Sequence, residues 1–251
     1  MVTNRNSKIS ETYDPELYDL TFGMQREDIP FYTHQAKAAD GKVLEVACGS
    51  GRIYLELLKE GVDAYGIDIS EEMLKALKVK AKALKLRPQV EQADMRNFEI
   101  TKRFSLIMIP FRSFLHNLTI DDQVSTLKNC SKHLATNGKL ILNFFFPNPE
   151  VISNTYGKEI KELLDTKEGQ LELVRKSYFV DEPEQIIEFT FTWKKDNHII
   201  SGFRSRLALI YKREFELLLR LAGFKKWQVY GGFNYQPLES YKQEMVWVVE
   251  K

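Results

Sequence analysis

Val43-Leu44-Glu45-Val46-Ala47-Cys48-Gly49-Ser50-Gly51-Arg52 sets the fold class of this 251-residue chain. Residues 43–47 form a short apolar run, the pattern of a strand buried in a parallel sheet. The run enters a turn with two glycines separated by one residue. An amphipathic stretch follows, with Ile53, Leu55, Leu57 and Leu58 among polar residues, and predicts a helix. Strand, glycine turn and helix in that order place a ligand site at the carboxyl end of a parallel strand. Glycine lets the backbone approach a ligand that a Cβ would push away.

The turn departs from the nucleotide fingerprints. Neither G-x-G-x-x-G nor G-x-x-x-x-G-K-[ST] is present, so the amides that wrap phosphates in those sites are not signalled. An acidic residue, Glu45, stands inside the strand instead. Its carboxylate would repel pyrophosphate and suits a cationic ligand or ordered polar groups near an ammonium.

Bulk properties narrow the class further. With 43% apolar residues the chain can bury one large core and carry an insertion. Lys plus Arg is 36 and Asp plus Glu is 35, a net charge of +1, which gives no electrostatic footprint for nucleic acid. No apolar run reaches the roughly 18 residues of a membrane span. Residues 1–10 are polar and lack the apolar core of a signal peptide. Cys48 and Cys130 do not make a disulfide framework, and Cys48 reads as a small packing residue. A cytoplasmic protein is expected.

The layout follows from periodicity and punctuation. Residues 12–38 read as helical pieces broken at Pro15, Gly23 and Pro30. Strands and helices then alternate to about residue 147, the βαβ pattern of a parallel sheet. Asp68 ends the second strand, and Ser70 caps a helix with Met73, Leu74, Leu77, Ala81 and Leu84 on one face. Residues 104–110 form the next apolar strand, and Asn137-Gly138-Lys139 a turn before the strand 140–146. Pro147-Asn148-Pro149 stops it. Residues 171–181, 185–195 and 198–209 are three β-type runs with Glu182-Pro183 and Asp196-Asn197 as separators. They predict a three-stranded antiparallel insertion over the ligand end of the sheet. Residues 212–222 form an amphipathic helix ended by Gly223, and 226–231 and 244–250 the last two strands.

These landmarks resemble the class I S-adenosylmethionine-dependent methyltransferases. Glu45-Val46-Ala47-Cys48-Gly49-Ser50-Gly51 resembles their first motif, an acidic residue followed by x-G/A-x-G-x-G. Ala64-Tyr65-Gly66-Ile67-Asp68-Ile69-Ser70 is similar to their second landmark, a strand ending in an acid about 20 residues beyond the glycine turn. Gln92-Ala93-Asp94-Met95-Arg96-Asn97-Phe98 resembles the third, and Phe111-Arg112-Ser113-Phe114-Leu115-His116-Asn117 the loop after the fourth strand. The insertion, Asp94-Met95-Arg96-Asn97-Phe98, Phe104-Ser105, Glu214-Phe215-Glu216 and Leu221-Ala222-Gly223-Phe224 resemble the amino-sugar N,N-dimethyltransferases. Ser113-Phe114-Leu115-His116 is similar to a Ser-Phe-Ala-His segment of glycine N-methyltransferases.

The resemblance implies an α/β fold: a Rossmann-like seven-stranded sheet with helices on both faces and an antiparallel insertion near the active site. It divides the chain into a helical lid (1–40), a cofactor-binding core (41–149 and 210–251) and a substrate cap (150–209). The implied cofactor is S-adenosyl-L-methionine, with S-adenosyl-L-homocysteine as product. Its expected contacts are Tyr18, Glu45, Ala47, Gly49, Ser50, Gly51, Arg52, Asp68, Ile69, Met73, Asp94, Met95 and Ile109. Asp68 would accept the ribose hydroxyls and Asp94 the adenine amino group, while Glu45 and the turn mark the amino-acid end.

The sulfonium methyl is already electrophilic, so such an enzyme chiefly aligns a nucleophile and excludes water. An amine must be neutral, and a hydroxyl needs a base. His116 is the candidate base or substrate orienter; the alternative is that it only packs the loop. Tyr13, Phe111, Ser113 and Arg204 are the candidate substrate contacts. Tyr13, Tyr18 and Phe22 would build the lid, where Tyr faces suit a sulfonium, or they are ordinary helix packing. Arg112 and Arg204 would pair a substrate phosphate or carboxylate, or form exposed salt bridges. His34, His133 and His198 have no companions at metal-ligand spacing, so no metal site is expected, and His133 reads as solvated.

The expected activity is methyl transfer to an amine or hydroxyl of a small molecule by in-line displacement. The expected partner is that small molecule, with no nucleic acid and no membrane, and the protein a monomer or homodimer. An RNA or other macromolecule methyltransferase is the alternative, although Ile109-Pro110-Phe111-Arg112 lacks the Asp/Asn-Pro-Pro-aromatic signature of base amino-methylating members. A non-catalytic S-adenosylmethionine-binding protein is a second.

Overall fold

A computed structural model describes residues 9–166 and 169–251. Along them run β1 (Ile9–Ser10), α1 (Pro15–Phe22), α2 (Ile29–Ala38), β2 (Val43–Val46), α3 (Tyr54–Lys59), β3 (Ala64–Asp68), α4 (Glu71–Ala83) and β4 (Gln89–Gln92). There follow β5 (Phe104–Ile109), the 3₁₀ turn Ser113–His116, α5 (Ile120–His133), β6 (Leu134–Phe145) and α6 (Pro149–Thr155). The remainder is β7 (Glu159–Thr166), β8 (Gly169–Asp181), β9 (Ile186–Lys195), β10 (His198–Ala208), α7 (Lys212–Leu221), β11 (Lys226–Tyr230) and β12 (Glu244–Glu250). The first eight residues of the expected lid and residues 167–168 of the expected cap lie outside the described residues.

Every position of β2 is buried, the acidic Glu45 included. It lies between β5 and β3 in a seven-stranded sheet of order β11-β12-β6-β5-β2-β3-β4. β6, β5, β2, β3 and β4 pair in parallel, while β12 runs against β6 and β11 against β12. From β2 the chain steps outward through β3 to β4, then returns to the other side of β2 as β5. That reversal opens a crevice at the carboxyl ends of β2, β3 and β5.

The period-two alternation of the strands sorts the core into two layers. Leu44 and Val46 point to one face with Ile107, Ile109, Leu127, Phe215 and Trp247. Val43 points to the other with Tyr32, Tyr54, Leu77, Leu106 and Val246. Helices therefore cover both faces, and each large side chain fully withdrawn from water contributes about 1.5–3 kcal/mol. α4 is started by Ser70, whose hydroxyl accepts the Met73 amide, and buries Met73, Leu74, Leu77 and Ala81. Leu84, expected on that face, instead follows the helix and is 45% exposed.

The second sheet departs from expectation. It has five strands in the order β1-β10-β9-β8-β7, not three. β7, Glu-Ile-Lys-Glu-Leu-Leu-Asp-Thr, is an edge strand exposed along most of its length, so it carries no clear apolar alternation. β1 adds two residues of the N-terminal segment in parallel to β10. Such a short pairing leaves no sequence pattern.

Three further corrections are local. Pro15 and Pro30 begin α1 and α2 instead of breaking helices, because the first turn has no use for the missing N–H. The expected turn Asn137-Gly138 is absorbed into β6, with Asn137 at φ 63° and a register shift opposite Phe104 to Leu106, the signature of a bulge. His133, expected in solvent, is buried. Its Nδ1 lies 2.8 Å from Asn129 O, and its Nε2 accepts the Ile100 amide at 3.2 Å, so it pins α5 to the segment before β5.

Candidate active site

The chain leaves β2 in left-handed steps: Ala47 at φ 57°, Gly49 at 52° and Gly51 at 93°. A Cβ on Gly51 would lie 2.9 Å from Leu55 Cγ and 3.0 Å from Leu77 Cγ. Glycine there is demanded by the packing of α3 on α4 as well as by φ. At Gly49 the nearest atom is Met73 Cε at 3.6 Å, so backbone conformation is the constraint and the space beside the turn is open.

Asp68 ties this turn to the next one. Its Oδ2 accepts the Gly49 amide at 2.7 Å and its Oδ1 the Ser70 amide at 2.8 Å. Burial raises its pKa above the ordinary carboxylate value, and these amides pull it back. Each oxygen retains acceptor capacity. The neighbouring Ile69 is 66% exposed, an apolar platform at the mouth of the crevice.

Glu45 is buried, and its Oε2 has no partner among the described residues. Burial pushes its carboxyl well above the usual range, an effect that the nearby Arg52 charge opposes. Arg52 gives one hydrogen bond to each Asp28 oxygen at 2.6 Å and another to Gln25 O. Its guanidinium lies 4.4 Å from the centre of the Phe111 ring. Ser50 donates to Asp19 Oδ1 at 2.5 Å, and Lys80 meets Asp19 Oδ2 at 2.7 Å. Asp19 thus straps α1 across the glycine turn.

Aromatic side chains continue the roof. Tyr13 stacks on Phe203 at 3.5 Å and meets Tyr18 at 4.9 Å; Tyr18 meets Phe22, which touches both Phe111 and Phe191. Burial raises the Tyr13 and Tyr18 pKa values, so both hydroxyls stay protonated. Trp193 donates to Thr21 Oγ1 at 3.1 Å. The N-terminal segment is therefore clasped between the two sheets.

The loop after β5 is strained. Phe111 and Arg112 are both left-handed, at φ 56° and 66°, a conformation that needs outside support in residues of this size. Asn143 supplies it: its Oδ1 accepts the Phe111 amide at 2.9 Å and the Tyr32 hydroxyl at 2.7 Å, and its carbonyl accepts the Arg112 amide. Glu244 accepts from Asn143 Nδ2 at 2.7 Å and from Arg112 at 2.9 and 3.1 Å. Ser113 donates to Pro110 O at 2.8 Å.

His116 ends this loop with Nδ1 3.3 Å from Ser205 Oγ of β10. His116 keeps solvent-accessible surface. Desolvation lowers its pKa, and a hydrogen bond to the Arg206 backbone opposes this. The imidazole is neutral at pH near 7 and can hold a proton donor or take a proton.

Other expected contacts lie differently. Asp94 is gripped by Arg96, with Nε at 2.9 Å and Nη2 at 2.5 Å, which holds its carboxyl below the ordinary range. Met95 Sδ faces Asn117 Nδ2 at 3.2 Å. Met73 is almost fully buried, and Ile109 fully buried inside the core. Arg204 alternates with the inward Phe203 and Ser205, so it occupies the far face of β10, paired with Glu11 at 3.0 Å. Sequence reasoning missed Asn143, Glu244, Asp19 and Asp28. A lone Asn in the apolar run 140–146 was a legible signal; acids in otherwise polar stretches carry none.

Residues 43–138 match the family model described as a methyltransferase domain. The chain is 26% identical over 142 residues to dTDP-3-amino-3,4,6-trideoxy-alpha-D-glucopyranose N,N-dimethyltransferase of Streptomyces venezuelae, a match covering 53% of this chain and 57% of that protein. The chain spans about half the length of the curated relatives it matches, 57%, 42% and 41%. A methyltransferase from Clostridium acetobutylicum, described as S-adenosylmethionine-dependent, superposes with TM-score 0.78 at 15% identity, covering 94% of this chain and 97% of that one. CalS10, an amino pentose methyltransferase from Micromonospora echinaspora solved with S-adenosylmethionine bound, gives 0.71 at 17% identity, covering 96% and 99%. At such identities the structures establish the fold. Residues 43–138 thus match a methyltransferase domain, and the chain shares the fold of S-adenosylmethionine-dependent methyltransferases.

Proposed function

We propose that the protein transfers a methyl group from S-adenosylmethionine to an amine nitrogen of a small molecule. The observation that carries this proposal is the pairing of two buried acids at the topological switch point: Glu45, with an unpartnered oxygen, and Asp68, tied to Gly49. An orphaned buried carboxylate oxygen is costly unless a donor reaches it, and the ammonium of the cofactor's amino-acid end is such a donor. Asp68 retains lone pairs for the two ribose hydroxyls, and exposed Ile69 suits the adenine face. Asp94 serves the adenine amino group only by sharing or releasing Arg96.

Bound there, S-adenosylmethionine supplies an electrophilic methyl. The chain supplies order and dryness. Tyr13, Tyr18, Phe22 and Phe111 exclude water from the crevice, and Asn143 and Glu244 fix the loop that carries His116. A neutral His116 holds the acceptor amine or takes its proton. An amine is favoured over a hydroxyl because no described carboxylate pairs with His116 to strengthen it as a base, and because two of the three relatives named above are described as acting on amino sugars. Residues 1–40 as lid and 150–209 as substrate cap, a cytoplasmic location, and a monomer or homodimer complete this proposal.

Calorimetric titration with S-adenosylhomocysteine tests the cofactor half. Saturable binding lost in Asp68→Ala is expected; absence of binding by the wild-type chain overturns the proposal. A screen of amines, amino sugars and hydroxylated metabolites for S-adenosylhomocysteine release then tests the acceptor class, with turnover confined to hydroxyl compounds as the adverse result.

A further inference from the structure

At the root of the second sheet a separate cavity of about 560 Å³ opens between α6, the β8–β9 turn and the start of α7. It shares no residue with the crevice described above. Ile152, Phe179, Leu209 and Tyr211 form its apolar wall; Glu182, Gln185 and Glu214 are its polar groups. Among the described residues, no Lys or Arg lines it.

The polar groups are placed by backbone. Gln185 is left-handed at φ 58°; its amide donates to Glu182 O at 3.1 Å and its carbonyl accepts the Leu209 amide at 2.9 Å. The side chain is thereby fixed at the wall, yet its Oε1 is buried with no partner among the described residues. Glu214 Oε2 accepts the Tyr211 amide at 3.3 Å, the capping contact of α7. Burial raises the Glu214 pKa, the mark of a carboxylate without a countercharge. Lys212, next to Tyr211 in the chain, is paired with Glu216 at 2.6 Å. Tyr211 is 41% exposed and backed edge-on by Phe146.

We propose that this cavity binds a small organic ammonium ion with an apolar body. Two carboxylates and an orphaned amide oxygen take its N–H donors, and the Tyr211 and Phe179 rings take its charge and its hydrocarbon. Phosphates and carboxylates are rejected, because two of the polar side chains offered carry negative charge and no cation offsets them. An ammonium held here keeps its proton and has no lone pair for methylation. The site is therefore distinct from that of a methyl acceptor, and it does not rest on the methyl-transfer proposal.

The test uses phenethylammonium as probe and phenethyl alcohol as its neutral counterpart, titrated by calorimetry into the full chain without cofactor. One saturable equivalent of the ammonium is expected, at least about tenfold tighter than the alcohol. Glu182→Gln/Glu214→Gln should weaken it by at least about tenfold, since the side-chain amide oxygen introduced at position 214 would still accept the Tyr211 amide while the charge is gone. Gln185→Leu is the second variant should the first fail to fold, and should also weaken binding. Asp68→Ala should bind the probe as wild type does. No saturable binding, equal affinity for the alcohol, or undiminished affinity in the variants overturns the proposal. Titration of S-adenosylhomocysteine in parallel reports on the methyl-transfer proposal separately.

Discussion

Asn143 holds Phe111 in a left-handed conformation through a 2.9 Å hydrogen bond from the Phe111 amide to its side-chain oxygen. One side chain on β6 therefore shapes the loop after β5, and with it the wall of the crevice. The same oxygen takes the Tyr32 hydroxyl, and the amide nitrogen is committed to Glu244. Two carboxyl-terminal loops and α2 are locked by one buried amide.

Asn143→Leu keeps much of the volume and removes all three hydrogen bonds. The Tyr32 hydroxyl, the Phe111 amide and a Glu244 oxygen lose partners in a buried setting, which should destabilise the chain by about 2–4 kcal/mol. Urea unfolding followed by circular dichroism measures it. A loss under about 0.5 kcal/mol, within the range of an ordinary surface change, would show that the strained loop does not depend on Asn143.

Glu45 sets stability against function. Below the ordinary carboxyl range both folded and unfolded chains keep its proton, and it costs nothing. As pH rises through that range the unfolded chain ionises while the folded chain resists, because burial raises the folded pKa. Stability therefore falls with rising pH until the folded value is passed. Glu45→Gln should make the ligand-free protein more stable at about pH 7.5, by on the order of 1–3 kcal/mol, with the gain shrinking towards about pH 4. It should bind S-adenosylhomocysteine more weakly. Thermal unfolding across pH shows the first effect and calorimetry the second; an unchanged melting temperature at neutral pH would contradict the buried, unpartnered carboxyl.

Asp68→Asn tests the ribose assignment with less collateral damage than Asp68→Ala. Its remaining oxygen can keep the Gly49 amide, so the turn should survive. Each hydrogen bond to a charged acceptor contributes about 1.5–3 kcal/mol, so affinity for S-adenosylhomocysteine should fall by about tenfold to a hundredfold. Equal affinity would move the ribose elsewhere.

The sheet was legible because strand burial and glycine turns write strong patterns: residues 43–52 and the run ending at Asp68 landed where expected. β7 was not legible, since an exposed edge strand selects no apolar alternation, and β1 is too short to have a pattern. Within the site, residue types were readable but partners were not. Nothing in the sequence says that Arg52 closes on Asp28 or that Arg96 closes on Asp94. Both contacts depend on where a long side chain lands after folding. Arg204 shows the cost of ignoring strand parity: it faces the opposite side of β10 from its neighbours Phe203 and Ser205.

His116 offers a pH signature. Its folded pKa is lowered by desolvation, so the folded chain resists protonation while the unfolded chain accepts it near the ordinary value of about 6.5. Stability that does not depend on this group above that value should be lost as pH falls below it, and His116→Asn should flatten that part of the stability curve. With an acceptor in hand, the loss of a positioned proton acceptor should slow methyl transfer by about a hundredfold to ten-thousandfold without changing S-adenosylhomocysteine affinity. The acid limb of kcat/KM should then shift to the ionisation of the amine alone. Rates within twofold of wild type, beside a flattened stability curve, would make His116 a packing residue of the loop and leave the acceptor to be ordered by Ser205 and the aromatic roof.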